Sequence, residues 1–180
     1  MPRLDDLKIN TKFNIIISLV LISLFLVAAT LTYERQQALV LKIAVKNARI
    51  IASQIIETRD YISCVVHGEP EHNYNLVPQV VTTRIAARIT RESKYYVRQV
   101  ALSYRNPENR PDEYETTMLR EFAGKPGHES YNVVETQRGK VFRFMLAVIA
   151  EESCLECHGV YEKAPAFVRA RFLAGHYSYN

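Results

Sequence analysis

The sequence predicts an α+β protein in which a membrane-spanning helix leads into a domain with an antiparallel sheet. Three features predict this class: an uncharged apolar run near the N-terminus, a long stretch behind it without glycine or proline, and alternating helical and strand-like segments after that. Hydrophobic residues make up 48% of the 180 residues, which is enough to form a packed core. The net charge is only +4, and the basic residues are scattered. We therefore expect no nucleic-acid-binding surface.

The apolar run covers residues 13–33 and reads FNIIISLVLISLFLVAATLTY. A helix of about 20 such residues crosses the hydrocarbon core of a bilayer. A cleavable signal peptide is the alternative, but its apolar core is shorter, roughly 7 to 15 residues. We therefore expect an uncleaved anchor over 13–33, preceded by a cytoplasmic segment over 1–12. Basic residues lie on both sides of the run, so the charge pattern does not decide its orientation.

The stretch from residue 34 to residue 66 contains neither glycine nor proline. Its apolar residues recur at near-helical spacing, which predicts one long amphipathic helix. Because nothing interrupts the pattern, we expect a single helix from about residue 13 to 66. The remaining segments predict, in chain order, a helix over 78–94, a strand over 95–104, a helix over 112–123 capped by Asp112 and ended by Gly124, and a hairpin with strands at 131–136 and 141–150.

Two of the three cysteines form the motif Cys154-Leu155-Glu156-Cys157-His158. C-x-x-C-H is the attachment signature of c-type haem. The two thiols reach the two vinyl groups of one porphyrin, and the adjacent imidazole then coordinates the iron. A zinc site would need a second ligand pair at similar spacing. A thioredoxin-like pair would begin a helix in a βαβ setting, whereas a hairpin precedes this motif. We therefore interpret the motif as the site of one covalent haem c, held by Cys154, Cys157 and His158. We prefer this interpretation to a zinc site, a thioredoxin-like pair or a chance match.

The second axial ligand of the iron is not part of that motif. Cys64 is a candidate because it lies near the end of the long helix, and a thiolate can coordinate haem iron. Helical spacing also places it on or beside the face of Tyr61, Ile62 and Val65, which we expect to pack on the domain. The alternative interpretation makes Cys64 a small buried apolar residue. The other candidates are His67, His72, His128, His176, Met118 and Met145.

The segment SYRNPENRPDEYE at 103–115, followed by Phe122 and by CLECHG at 154–159, resembles a family of periplasmic haem-c sensor domains with a PAS-like fold. Such domains resemble the front ends of bacterial chemotaxis receptors, histidine kinases and cyclic-nucleotide enzymes. The resemblance covers roughly residues 38–180. It implies one haem, with an upstream cysteine such as Cys64 as distal ligand in some members. It also suggests that Arg105, in the family loop, lies near a haem propionate. Family members usually continue beyond the point where this chain stops, which implies a short form or a fragment.

These features lead to two expected functions. The first is a membrane-anchored redox- or gas-responsive sensor domain, in which the haem state alters iron ligation and the long helix transmits the change. The second is an electron-transfer cytochrome subunit of a respiratory or photosynthetic complex. We expect no enzyme, because no nucleophile and base are arranged for catalysis. Haem c is attached outside the cytoplasm, so residues 34–180 should be a periplasmic domain on a single-pass inner-membrane protein. Either a homodimer or a larger membrane complex would suit it.

Overall fold

The computed structural model describes residues 8–67, 69–104, 106–137, 139–150 and 152–171. The chain divides into two units, Met1–Lys46 and Asn47–Asn180. The helices are α1 (Ile9–Val65), α2 (Glu69–His72), α3 (Pro78–Glu92), α4 (Glu113–Phe122), α5 (Glu152–His158) and α6 (Ala166–Arg169), and the strands are β1 (Glu129–Thr136) and β2 (Gly139–Leu146). Short 3-10 helices lie at Tyr74–Leu76, Pro107–Asn109 and Tyr161–Lys163. The predicted α+β class is confirmed.

The first unit consists of the N-terminal part of α1. Helix α1 is 57 residues long, so the predicted helix without a break is confirmed. Within the described residues, α1 is the one helix long and apolar enough to cross a membrane, and none of its most apolar stretch is buried. The hydroxyls of Ser23, Thr30 and Thr32 each donate to a carbonyl of the preceding helical turn, at 2.7–2.9 Å. These polar groups are therefore satisfied inside the helix, as a lipid environment requires.

In the second unit, α1 packs along one stripe of its surface. Ile55 is buried, and Ile51, Arg59, Ile62 and Val66 are partly buried. These positions recur every three or four residues, which is the spacing of one helix face. Helix α3 provides neighbouring apolar surface, since its Ile85 and Ile89 line a groove shared with Ile55 of α1.

The predicted helix over 78–94 corresponds to α3, which ends at Glu92. The predicted strand over 95–104 is wrong, because this segment has no strand partner in the structure. Side chains satisfy part of its backbone instead: the Val97 N–H donates to Thr90 Oγ1 at 3.0 Å. Its aromatic and β-branched residues suit any extended segment packed on a helix, so composition alone did not distinguish it from a strand.

The third predicted helix matches α4 at both ends. The Asp112 carboxylate accepts from the Glu115 N–H, and the Glu115 carboxylate accepts from the Asp112 N–H, both at 2.8 Å. This reciprocal capping box satisfies two backbone donors that the helix itself leaves unpaired. After Phe122 the chain turns at Gly124, whose φ of 72° favours glycine.

The predicted hairpin is confirmed, and its two strands form the whole sheet within the described residues. Strands β1 and β2 are antiparallel, with Tyr131 opposite Phe144 and Thr136 opposite Gly139. Strand β2 ends at Leu146, four residues before the predicted boundary at Ala150. The chain leaves β2 just before α5, so the hairpin leads directly to the cysteine motif.

Candidate functional site

The cysteine motif lies on α5, a helix of seven residues. Cys154 and Cys157 are not joined in a disulfide, and both are partly buried. They are one helical turn apart and therefore lie on neighbouring parts of the same face. His158, the last residue of α5, is also partly buried. One turn of helix thus presents two thiols and an imidazole that are neither fully enclosed nor fully in solvent.

Helix α5 ends immediately after His158. The Gly159 N–H donates to the Leu155 carbonyl oxygen at 2.7 Å, and this bond closes the last turn. The chain then forms the 3-10 helix and α6, and it buries Ala164 and Val168 to 3% and 2% exposure. In chain order, the motif therefore lies between the hairpin and a segment with two buried positions.

A cluster of aromatic and cationic side chains joins the segment after the motif to the loop that follows α1. The rings of Tyr74 and Phe167 meet edge to face, with centroids 6.3 Å apart. The guanidinium of Arg171 lies 4.1 Å from the centroid of the Tyr74 ring, within the range of a cation–π interaction. These contacts connect α6, which follows the motif, with the 3-10 helix at Tyr74–Leu76.

A charge cluster connects the extended segment, α4 and β2. Glu115, only 7% exposed, accepts from Arg98 Nε at 3.2 Å and from Arg143 Nη2 at 3.1 Å. Arg143 also contacts Asp112 at 2.6 Å. Burial raises the pKa of Asp112, but the Glu115 N–H and the Arg143 guanidinium outweigh it and hold that pKa below its ordinary value. The Glu115 carboxylate raises the pKa of Arg98.

Arg143 has a second neighbour in this cluster. Its guanidinium lies 4.7 Å from the centroid of the Tyr114 ring. The Tyr114 hydroxyl is buried and has no hydrogen-bond partner among the described residues. This cluster is not apparent from the sequence. Its ion pairs join residues that are 17 to 31 positions apart, and no local motif indicates those pairs.

Cys64 lies in the last turn of α1, and its side chain is exposed. It is nine residues after Ile55, about two and a half helical turns, which places it opposite the buried stripe. Tyr61 and Val65 are 68% and 50% exposed, so their predicted packing on the domain is wrong, whereas Ile62 is partly buried. The domain packs on the Ile55 side instead. The alternative interpretation of Cys64 as a small buried residue is also wrong, because the side chain is exposed.

The other proposed ligands occupy varied places in the structure. His67, His72 and His128 are exposed, and the His128 ring packs edge to face on Phe122 with centroids 5.3 Å apart. Met118 and Met145 are partly buried. Arg105 and His176 lie outside the described residues.

The donor set on α5 fits a c-type haem. Thioether formation needs two reduced thiols, and axial ligation needs an imidazole beside the second thiol. Cys154 and Cys157 form no disulfide, and His158 follows directly. A metal site with several protein ligands would bring three or more His, Cys, Asp or Glu side chains together, and the described ranges contain no such group.

Comparison with known proteins relates the chain to one family and to one solved structure. The family model described as "Tll0287-like: Tll0287" matches residues 35–180. A solved structure, the crystal structure of the cyanobacterial heme-protein Tll0287, is similar with a TM-score of 0.59 and 20% identity. That similarity covers 71% of this chain and 80% of the other, and at this identity it shows the fold alone. No curated protein sequence matches the chain. The family model covers most of the chain, and the chain therefore belongs to the Tll0287-like family.

Proposed function

We propose that this chain is a membrane-anchored monohaem c-type protein whose haem domain responds to redox state or to a small gas. The observation that carries this proposal is the pair of partly buried cysteines without a disulfide, beside His158 on one turn of α5. The family relationship supports it, because the solved relative is described as a heme-protein. The sequence has one such motif, and we therefore assign one haem.

Each residue of the motif has a separate role in this proposal. The thiols of Cys154 and Cys157 form the covalent attachment, and the imidazole of His158 coordinates the iron. When bound, haem supplies a one-electron redox centre whose potential the axial ligands adjust. His158 is the last residue of α5, and the hydrogen bond from the Gly159 N–H to the Leu155 carbonyl oxygen closes the turn that carries it.

Cys64 is our proposed distal ligand, and Arg105 is proposed to bind a haem propionate. A thiolate ligand would favour ferric iron, and reduction would weaken its bond. Ligation by Cys64 requires the exposed side of α1 to meet the haem, because Cys64 is opposite the buried stripe. The thiol is accessible, so a ligand exchange at this position meets no steric barrier from the described side chains. Such a change in ligation gives the two states that any switch needs.

The apolar part of α1 is proposed to anchor the domain in the inner membrane. Haem c is attached outside the cytoplasm, so we place residues 1–12 in the cytoplasm and residues 34–180 in the periplasm. Helix α1 is continuous from the proposed span to Cys64. It would therefore carry a change in ligation toward the membrane. We propose no enzymatic activity and no nucleic-acid partner. A homodimer or a larger membrane complex is the proposed assembly.

An electron-transfer subunit is the alternative function, since the same haem attachment would serve it. The two functions differ in what reduction does to the iron. A switch changes its ligands, whereas an electron carrier keeps them.

The test compares optical and EPR spectra of ferric and ferrous protein, with and without carbon monoxide. The sensor proposal expects a change of coordination on reduction and carbon monoxide binding to the ferrous form. Unchanged six-coordinate low-spin spectra in both states, without carbon monoxide binding, would favour the electron carrier instead.

A further inference from the structure

Gly159 differs from the other described glycines in what surrounds it. Gly124, Gly127 and Gly139 have positive φ angles of 72°, 67° and 104°, and a Cβ at any of them would meet no heavy atom within 4 Å. These three serve turn conformations. At Gly159 a Cβ would instead overlap the carbonyl oxygen of Leu155 and lie 3.4 Å from its carbonyl carbon. Position 159 therefore requires glycine, because its backbone lies very close to the backbone of Leu155.

The atom that a Cβ would overlap is the acceptor of the last hydrogen bond of α5. The Gly159 N–H donates to the same Leu155 carbonyl oxygen at 2.7 Å. A side chain at position 159 must therefore displace that carbonyl or break the bond. The affected atoms belong to the backbone, so a side-chain rotation cannot relieve the overlap. Cys157 and His158 lie inside this hydrogen-bonded turn, between residues 155 and 159.

The chain on the far side of Gly159 has little freedom to move. Ala164 and Val168 are buried, and the guanidinium of Arg169 donates to the Glu162 carbonyl oxygen at 2.9 Å. Strain introduced at position 159 therefore moves the last turn of α5 more readily than it moves α6. The residue at the end of that turn is His158.

We propose that Gly159 is a positioning residue that sets the orientation of the His158 imidazole toward the haem iron. This inference rests on the proposed haem attachment. The backbone of Gly159 closes the turn that carries the imidazole, and the absence of a Cβ lets the turn close directly behind His158. Cys154 lies before Leu155 and outside the turn. Cys157 lies inside it, but rotation of its side chain can follow a small shift of the backbone, so both attachment points are kept. A substitution at 159 should change iron coordination while leaving the covalent attachment intact.

The experiment compares the full chain with G159A and with G124A, each produced in cells that mature c-type haem. The Gly124→Ala variant is the matched control, because it also removes a glycine after a helix but lies away from the motif. Intact mass measures attachment, ferric optical and EPR spectra measure coordination, and circular dichroism measures folding. We expect both variants to fold and to retain haem. Only Gly159→Ala should show a shifted Soret band and a loss of low-spin signal.

An unchanged ferric spectrum in Gly159→Ala would overturn the proposal. Loss of covalent haem from that variant alone would overturn it as well, because the substitution would then act on the thiols. If the Gly159→Ala chain does not fold, Gly159 is needed for the fold of the whole domain and not for the orientation of His158. That result would also contradict the inference. Wild-type protein without a haem adduct would instead contradict the proposed function, so the two failures are distinguishable.

Discussion

Arg143 Nη2 lies 3.1 Å from Oε1 of the buried Glu115, and the same carboxylate also binds Arg98. Glu115 therefore joins β2, α4 and the extended segment through one partly desolvated charge. Replacing a buried partner in such a cluster leaves the remaining charges uncompensated, and this costs more than the loss of an exposed ion pair.

We predict that Glu115→Gln lowers the free energy of unfolding by about 2 kcal/mol. The loss stays below that of a fully buried pair, because the Arg98 and Arg143 side chains are 26% and 25% exposed. Glutamine keeps one acceptor oxygen for the capping hydrogen bond to Asp112, and it replaces the other with an NH2 donor. The variant therefore removes the charge together with the hydrogen bonds that this oxygen accepts from Arg98 Nε and Arg143. Glu113→Gln, at an exposed position in the same helical turn, is the control and should change stability by less than about 0.5 kcal/mol. Thermal unfolding of the purified chains measures both, and equal losses would contradict the assigned role of Glu115.

The second prediction concerns acid stability and Asp112. Its pKa in the folded protein lies below the ordinary value of 3.8 because the Glu115 N–H and Arg143 together outweigh the effect of burial. A lowered pKa stabilises the fold above 3.8, and the contribution disappears as the pH falls through the folded-state pKa. Asp112→Asn keeps a good capping residue and removes the charge. The unfolding midpoint of the wild type should fall more steeply than that of the variant from about pH 5 to about pH 3. Parallel curves would contradict this prediction.

The third prediction concerns orientation in the membrane. If the apolar part of α1 is an anchor with a cytoplasmic N-terminus, alkaline phosphatase fused after the haem domain should be active, and a fusion of green fluorescent protein at that position should be dark. A fusion of alkaline phosphatase at residue 12, before the apolar run, is the control and should be inactive. The opposite reporter pattern would contradict the proposed periplasmic location.

The fourth prediction concerns the distal ligand. Cys64→Ala should change the ferric low-spin signature, because it removes the proposed thiolate. Ser63→Ala is the matched control, since Ser63 is an exposed neighbour on the same turn of α1. An unchanged spectrum in Cys64→Ala would exclude the cysteine. His67, three residues on, would then be the first position to replace, and Met145 on β2 the second.

Local signals explain which parts of the fold were predictable. Asp112 and Gly124 mark the two ends of α4 through backbone chemistry that acts within a few residues, so the sequence located them correctly. The segment over 95–104 has the composition of a strand but does not form one. Strand pairing depends on a distant partner, which local composition does not reveal. The exposure of Cys64 depends on which side of α1 meets the domain, and the apolar spacing on that helix did not identify this side.

The candidate site divides in the same way. Cys154, Cys157 and His158 are contiguous enough to be recognised from spacing alone. The salt bridges of Glu115 and the contact of Arg171 with Tyr74 join residues far apart in the chain, and only the folded structure brings them together. The close approach at Gly159 is also invisible in the sequence, since a glycine after a helix usually indicates a turn conformation.

Intact-protein mass spectrometry of the denatured chain is the most direct test for a covalent haem on α5. We expect the mass of the polypeptide plus one haem after production in cells with c-haem maturation. The double variant Cys154→Ala/Cys157→Ala should lose that adduct, and Cys64→Ala should keep it, because Cys64 is proposed as an axial ligand and not as an attachment point. A wild-type mass without haem, or an adduct that survives the loss of both motif cysteines, would contradict the account.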